Sequence, residues 1–200
     1  MSKKYQPPPL WEKPSSKEPS PSFQGEKTTS TIHEAVGRSL SMWEHMESAF
    51  IKLFQLFCET KSLAACRAYG TSESIFSRYL ALKYAAEEFF TSRDSGDLQL
   101  TLSLLNTYKE IGEYRNQIAH GMAMSPHGYG YFLCPPSYSS RRRKTPIPTK
   151  LWGLGAKYIY RVAEIDRFRD RFEQVLNSTM SLVLYLNEKY SVLDDKDFHP

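Results

Sequence analysis

Apolar side chains recur every three or four residues in four separate stretches of the chain, which is the spacing of amphipathic helices. In the first stretch, from Leu40 onward, the repeating positions are Trp43, Met46, Phe50, Leu53, Phe54 and Phe57. Further apolar residues widen this stripe: Met42, Ala49, Ile51 and Leu56. A helix with so broad an apolar face needs cover on more than one side, from its own domain or from a second chain.

Three more stretches carry the same period. A second helix is predicted after Gly70, with Thr71 or Ser72 as its N-terminal cap. The most regular stripe of the chain predicts the last helix, over residues 165–186. Between these two lies the third helix, which we expect to begin near Asp97 and to continue to His120.

The helical pattern stops over residues 122–162. Prolines and glycines interrupt this stretch. Within it, residues 129–133 and 157–162 are rich in Tyr, Ile, Val and Phe and are able to pair as a β-hairpin. The predicted fold is therefore all-α, a bundle of four main helices with a β-hairpin or irregular insertion at 122–162, between the third and fourth helices.

The ends of the chain differ from its middle. Residues 1–30 hold six of the twelve prolines, and Ser, Lys, Glu and Thr fill most of the rest. Such a segment buries too little apolar surface to offset its chain entropy, so we expect a disordered or loosely docked tail. The helical domain is predicted over 31–190, with a C-terminal tail at 191–200.

Composition and charge narrow the class of protein. The formal net charge of +4 is compatible with a nucleic-acid partner but does not establish one. No run approaches the ~18 apolar residues of a transmembrane helix, and no apolar run follows the first basic residues as in a secretory signal. Three scattered cysteines fit neither a disulfide framework nor a zinc site, which favours the cytoplasm. We also expect no metal and no cofactor, because no motif for either is present.

The end of the third helix carries the candidate chemistry. On a helical wheel Arg115 lies within the apolar face, whereas Asn116 and His120 lie one turn apart on its flank. An arginine in that position must extend to solvent or find an acceptor, because an unpaired buried charge is costly. Its guanidinium suits a phosphate, and an imidazole exchanges protons near neutral pH. The structural alternative is a helix end whose Arg115 pairs with Glu113 or with a neighbouring helix.

Gly121 follows this helix directly. A glycine in that place is typical of a helix that ends in the left-handed conformation, so we expect a positive φ at Gly121.

The segment RNQIAHG resembles the signature of HEPN domains, in which an Arg is followed by a polar residue and, four to six positions further, by a His. Arg115, Asn116 and His120 occupy those three places, with four residues between the Arg and the His. The stretch WEHMESAFIKLF is also similar to the first helix of bacterial HEPN-like proteins. In helix order the resemblance covers roughly residues 35–190.

The resemblance implies a metal-independent endoribonuclease. Such domains commonly form two-fold dimers whose Arg-polar-His motifs face one another, and the RNA 2′-hydroxyl attacks the adjacent phosphate. It further implies that Arg115 holds the phosphate, that His120 transfers protons and that Asn116 positions His120 or the RNA. Family members act in toxin–antitoxin, antiviral defence and RNA-processing systems. The expected partners are therefore RNA, a second copy of the chain and an antitoxin or regulatory protein.

A second function stays open at this point, because some members of that family have lost activity and serve as dimerisation or protein-binding modules. The very apolar first helix and the Pro-rich leader fit such a non-catalytic role.

A basic cluster follows the motif. The insertion has no Asp or Glu, and it contains the consecutive residues Arg141, Arg142, Arg143 and Lys144. Aromatic residues are interleaved with its positive charges: Tyr129, Tyr131, Phe132, Tyr138 and Trp152. This composition predicts RNA binding through phosphate contacts and base stacking. The alternative is a solvated basic loop.

Overall fold

The chain folds into five described helices and one small sheet. The computed structural model describes residues 5, 7–9, 24–125, 128–136 and 159–193. The helices are α1 Thr29–Phe57, α2 Leu63–Gly70, α3 Ile75–Phe89, α4 Ser95–Ala119 and α5 Val162–Tyr190, and the strands are β1 Met122–Met124 and β2 Phe132–Cys134. The predicted all-α fold with a hairpin insertion is confirmed. No helix in the described ranges has a stretch apolar enough to cross a bilayer.

Helix α2 is the one that the sequence pattern did not predict. It has 8 residues, and Tyr69 is its buried side chain, so it is too short to display a period. The Ser62 hydroxyl caps it by accepting a hydrogen bond from the backbone of Ala64. The prediction of Thr71 or Ser72 as the cap of the next helix was wrong, because Ser74 accepts from the Ser77 N–H at 2.9 Å.

The chain divides into two compact units, to which α1, α4 and α5 each contribute. Unit 1 comprises Met1–Leu10, Trp43–Gly112 and Phe172–Pro200, and unit 2 comprises Trp11–Met42 and Glu113–Arg171.

The core of unit 1 is built on aromatic rings from three helices. Trp43 of α1 stacks on Tyr108 of α4, with ring centroids 5.7 Å apart, and meets Phe172 of α5 edge-on at 5.2 Å. All three side chains are essentially inaccessible to solvent. These pairs add directional contacts to the burial of large apolar surfaces, which explains why the stripe of α1 is so broad.

A buried carboxylate also lies in unit 1. Glu47 of α1 is 4% exposed, accepts a hydrogen bond from the Tyr108 hydroxyl at 2.8 Å and pairs with Arg78 of α3 at 3.3 Å. Burial raises the pKa of Glu47, and the hydrogen bond from Tyr108 and the charge of Arg78 oppose this rise without cancelling it. Glu47 lies one turn after Trp43 and one turn before Phe50, so a helical wheel alone was able to place it on the buried stripe.

A second buried carboxylate connects the start of α4 with the end of α5. Asp97, in the first turn of α4, is 3% exposed and accepts from Tyr185, Tyr190 and Lys189 of α5 at 3.0, 2.7 and 2.8 Å. Three donors on one buried carboxylate hold the carboxyl end of α5 on the start of α4, because leaving that charge without partners would be costly.

The sheet of unit 2 is an antiparallel pair in the register Met122↔Cys134, Ala123↔Leu133 and Met124↔Phe132. Among the residues that the structure describes, the predicted pairing of 129–133 with 157–162 is found at one position, where Leu133 and Tyr160 exchange backbone hydrogen bonds. The sequence missed β1, because three residues are too few to show a strand period.

A short segment before α1 belongs to the same unit. The backbone of Glu26 pairs with Tyr131, and its carboxylate accepts from the Val162 N–H at the start of α5. Residues 24–30, which the composition assigned to the tail, are therefore part of the folded domain, and α1 begins at Thr29.

We expect Asp97→Asn to lower the free energy of unfolding by about 2 kcal/mol. One carboxylate oxygen is replaced by an NH₂ group, which cannot accept the hydrogen bonds that the tyrosine hydroxyls and the lysine ammonium donate. Urea unfolding followed by circular dichroism measures the change. Asp170→Asn is the matched control, because Asp170 is a half-exposed partner of Arg169 and should change stability by less than about 1 kcal/mol. Equal effects of the two substitutions would contradict this account.

Glu47 predicts a pH dependence of stability. A carboxyl whose pKa is raised by folding stabilises the folded state below its ordinary pKa, and that contribution is lost as the pH rises through the folded value. Relative to Glu47→Gln, the wild type should therefore lose unfolding free energy as the pH increases across this range. Tyr108→Phe removes an opposing hydrogen bond and should extend the loss to higher pH. If the free energy of unfolding changes with pH in the same way for the wild type and for Glu47→Gln, the raised pKa of Glu47 is refuted.

Candidate functional site

The three predicted motif residues lie within two turns at the carboxyl end of α4. The His120 N–H donates to the Asn116 carbonyl at 3.1 Å, so these residues lie one helical turn apart, as the spacing indicated. Arg115 precedes Asn116, and its Nη1 donates to Asn116 Oδ1 at 3.4 Å. The side chains of Arg115 and Asn116 therefore meet.

The three side chains differ in exposure. Arg115 is half-buried with a fully buried Nε, whereas Asn116 is half-buried and His120 is exposed. The neighbours of Arg115 on the wheel, Ile111 and Ile118, are both 1% exposed, which agrees with its predicted place in the apolar face. The His120 imidazole makes no side-chain hydrogen bond with the described residues, so it is open to a ligand.

Gly121 follows the helix without the backbone conformation that we expected. Its φ is not positive, so the predicted left-handed cap was wrong. Instead, a Cβ at this position would lie 2.6 Å from Cγ and 2.8 Å from Cδ1 of Leu133. A side chain at position 121 would therefore displace Leu133 of β2 or the backbone beside it, because Leu133 occupies the space that a methyl group would need.

Tyr160, to which the sequence pattern assigned no role at the site, supports this helix end. The Tyr160 hydroxyl donates to Gln117 Oε1, one turn before Gly121. The Tyr160 ring meets the ring of Phe168 of α5 in a T-shaped arrangement, with centroids 5.0 Å apart. A tyrosine inside a predicted strand was the available signal, but its partner on α4 was not deducible from spacing.

The predicted RNA-binding cluster of Arg141, Arg142, Arg143 and Lys144 lies outside the described residues. So do Tyr138 and Trp152. The other interleaved aromatics have distinct environments, since Tyr129 is 46% exposed, Tyr131 is half-buried and Phe132 is fully buried. Phe132 is therefore a core residue and is not available to stack on a base. Tyr129 is exposed enough to do so.

Arg115, Asn116 and His120 together offer a forked cation, an amide and an accessible imidazole, a set that suits a phosphodiester. Among the residues that the structure describes, no three His, Cys, Asp or Glu side chains are grouped to hold a metal ion. A scan against protein-family models and searches of curated proteins and of solved structures find no match to this chain.

Proposed function

We propose that this chain is a metal-independent endoribonuclease of the HEPN type, acting at a site shared by two copies. The observation that carries the proposal is the contact of Arg115 with Asn116 one turn from the exposed imidazole of His120. This arrangement lies at a helix end within an all-α fold, as the resemblance to HEPN domains requires.

The chemistry assigns one role to each residue. The RNA 2′-oxygen attacks the adjacent phosphorus, the bond from phosphorus to the 5′-oxygen breaks, and a 2′,3′-cyclic phosphate and a 5′-hydroxyl result. The Arg115 guanidinium binds the phosphate oxygens and stabilises their developing charge. His120 takes the proton from the 2′-hydroxyl or gives one to the leaving 5′-oxygen. Asn116 orients Arg115 through their hydrogen bond.

Two proton transfers support a dimeric site. The base must accept a proton while an acid donates one, and each chain brings a single imidazole in the motif. A second copy related by a two-fold axis would supply the other His120. The partners are then RNA and a second copy of the chain, with an antitoxin or regulatory protein as a further partner in stress response or phage defence. All three cysteines are free thiols, which supports a cytoplasmic setting.

Exposed apolar side chains in unit 1 favour a second candidate, a non-catalytic helical module that dimerises or binds a protein. Leu63, Phe76 and Tyr84 are 63%, 53% and 61% exposed. Large apolar groups at the surface are typical of protein-binding faces when they are contiguous. This candidate predicts a folded dimer or complex without RNA cleavage.

We expect the purified protein to cleave single-stranded RNA in excess EDTA and to leave 2′,3′-cyclic phosphate ends. Arg115→Ala and His120→Ala should each reduce the cleavage rate by about 10²–10⁴-fold, because each removes charge stabilisation or proton transfer. Denaturing gels and mass spectrometry of the products measure rate and end chemistry.

Glu113→Ala is the matched control, because Glu113 is exposed near the same helix end and has no role in the scheme. A substrate with a 2′-deoxy sugar at the cleaved position should resist the enzyme. Intact RNA with the wild type, or equal cleavage by wild type and the motif variants, would overturn the catalytic assignment. A dimer that leaves RNA intact would support the second candidate.

A further inference from the structure

We propose that Tyr160 is a positioning residue for His120, and that Tyr160 and Leu133 together form a brace that holds the carboxyl end of α4 against β2. This inference rests on the proposed function for its kinetic consequences, whereas its structural part is testable without any activity. Neither residue belongs to the Arg-polar-His motif.

The first contact of the brace lies directly beside His120. Gly121 is the next residue, and Leu133 fills the space where its Cβ would be, 2.6 Å from Leu133 Cγ. Leu133 is 1% exposed, so this contact is part of a packed core and not a surface approach. The backbone at 120–121 is therefore held at a set distance from β2.

The second contact lies one turn earlier on α4. The Tyr160 hydroxyl donates to Gln117 Oε1, and the Tyr160 backbone exchanges hydrogen bonds of 2.8 and 3.0 Å with Leu133. The two contacts are therefore coupled. Tyr160, which binds Gln117, is hydrogen-bonded through its backbone to Leu133, which packs against Gly121. Together they hold the last turn of α4 at two points.

A row of aromatic rings sets the position of Tyr160 itself. Its ring meets Phe168 of α5 at 73°, and Phe168 stacks on Tyr114 of α4 at a centroid distance of 4.8 Å. Tyr160 is 9% exposed and Phe168 is inaccessible. The hydroxyl of Tyr160 is thus directed at Gln117 by packing on α5, which makes it a fixed support.

A brace of this kind has consequences for proton transfer. The last turns of helices fray, since their final carbonyls lack helical partners. His120 lies just beyond Ala119, the last residue of α4, and its N–H bond to Asn116 spans that last turn. A displacement of a catalytic group by about 1 Å can reduce the reaction rate about 10²-fold. Holding this turn keeps the imidazole in place relative to Arg115 and Asn116.

The first test compares Tyr160→Phe with Tyr185→Phe. Both remove one hydroxyl from a hydrogen bond to an acceptor on α4, but Tyr185 binds Asp97 in unit 1. We expect Tyr160→Phe to increase amide hydrogen exchange at His120 and Gly121 by about tenfold, with unchanged exchange in the core of α4. Tyr185→Phe should leave those two amides as they are. On RNA, Tyr160→Phe should lower kcat by about tenfold or more with KM within about twofold.

The second test adds and then relieves a clash. Gly121→Ala places a methyl group against Leu133 and should raise exchange at His120 and lower kcat, as Tyr160→Phe does. Leu133→Ala in the same chain removes the two nearest opposing atoms and leaves the Gln117 carbonyl oxygen, at 3.0 Å. Gly121→Ala/Leu133→Ala should therefore recover part of the exchange protection at His120 that the single substitution lost. Circular dichroism confirms that each variant is folded.

The outcomes separate the brace from the nuclease. Unchanged exchange at His120 and Gly121 in folded Tyr160→Phe refutes the brace, whatever the activity. An equal rise of exchange at every amide of α4 also refutes it, because Tyr160 would then support the fold in general. If the exchange results are as expected and the wild type cleaves no RNA, the proposed function fails and the brace stands.

Discussion

The absence of a side chain at position 121 is the constraint on which the candidate site depends. Leu133 of β2 packs into the space beside Gly121, and this contact sets the distance between β2 and the end of α4. The pairing of Leu133 with Tyr160 then brings a hydroxyl to Gln117. Because position 121 has no side chain, the end of α4, β2 and Tyr160 are able to pack together although they are distant in sequence. The motif histidine lies directly beside these contacts.

Unit 1 depends on a different kind of interaction, the burial of charge. Glu47 and Asp97 are each almost fully buried and bind donors from other helices. Buried pairs of this kind add little net stability, but they penalise any packing that separates the partners. We infer that Glu47 with Arg78 and Tyr108 selects one arrangement of α1, α3 and α4, since aromatic packing alone tolerates more than one.

The proposed chemistry depends on the different solvent exposure of the motif side chains at the end of α4. Arg115 reaches from the apolar face with a buried Nε, where a guanidinium has less competition from water and interacts more strongly with phosphate. His120 is exposed, where a substrate hydroxyl is able to approach it. Asn116 is half-buried, like Arg115, and contacts it. A two-fold dimer would double this set and supply the acid and the base together.

The sequence by itself determined the long helices and the local motif. The three-to-four-residue period predicted α1, α3, α4 and α5, because burying one face of a long helix requires many apolar residues in register. It also predicted that Asn116 and His120 lie one turn apart, which is a property of the helix alone. Tertiary structure decided the rest. The eight residues of α2 and the three of β1 are too short to carry a period, and the role of Gly121 depends on Leu133, which lies twelve residues further along the chain. Contacts between such distant residues leave no trace in local spacing, because packing in three dimensions and not helical geometry selects the partners.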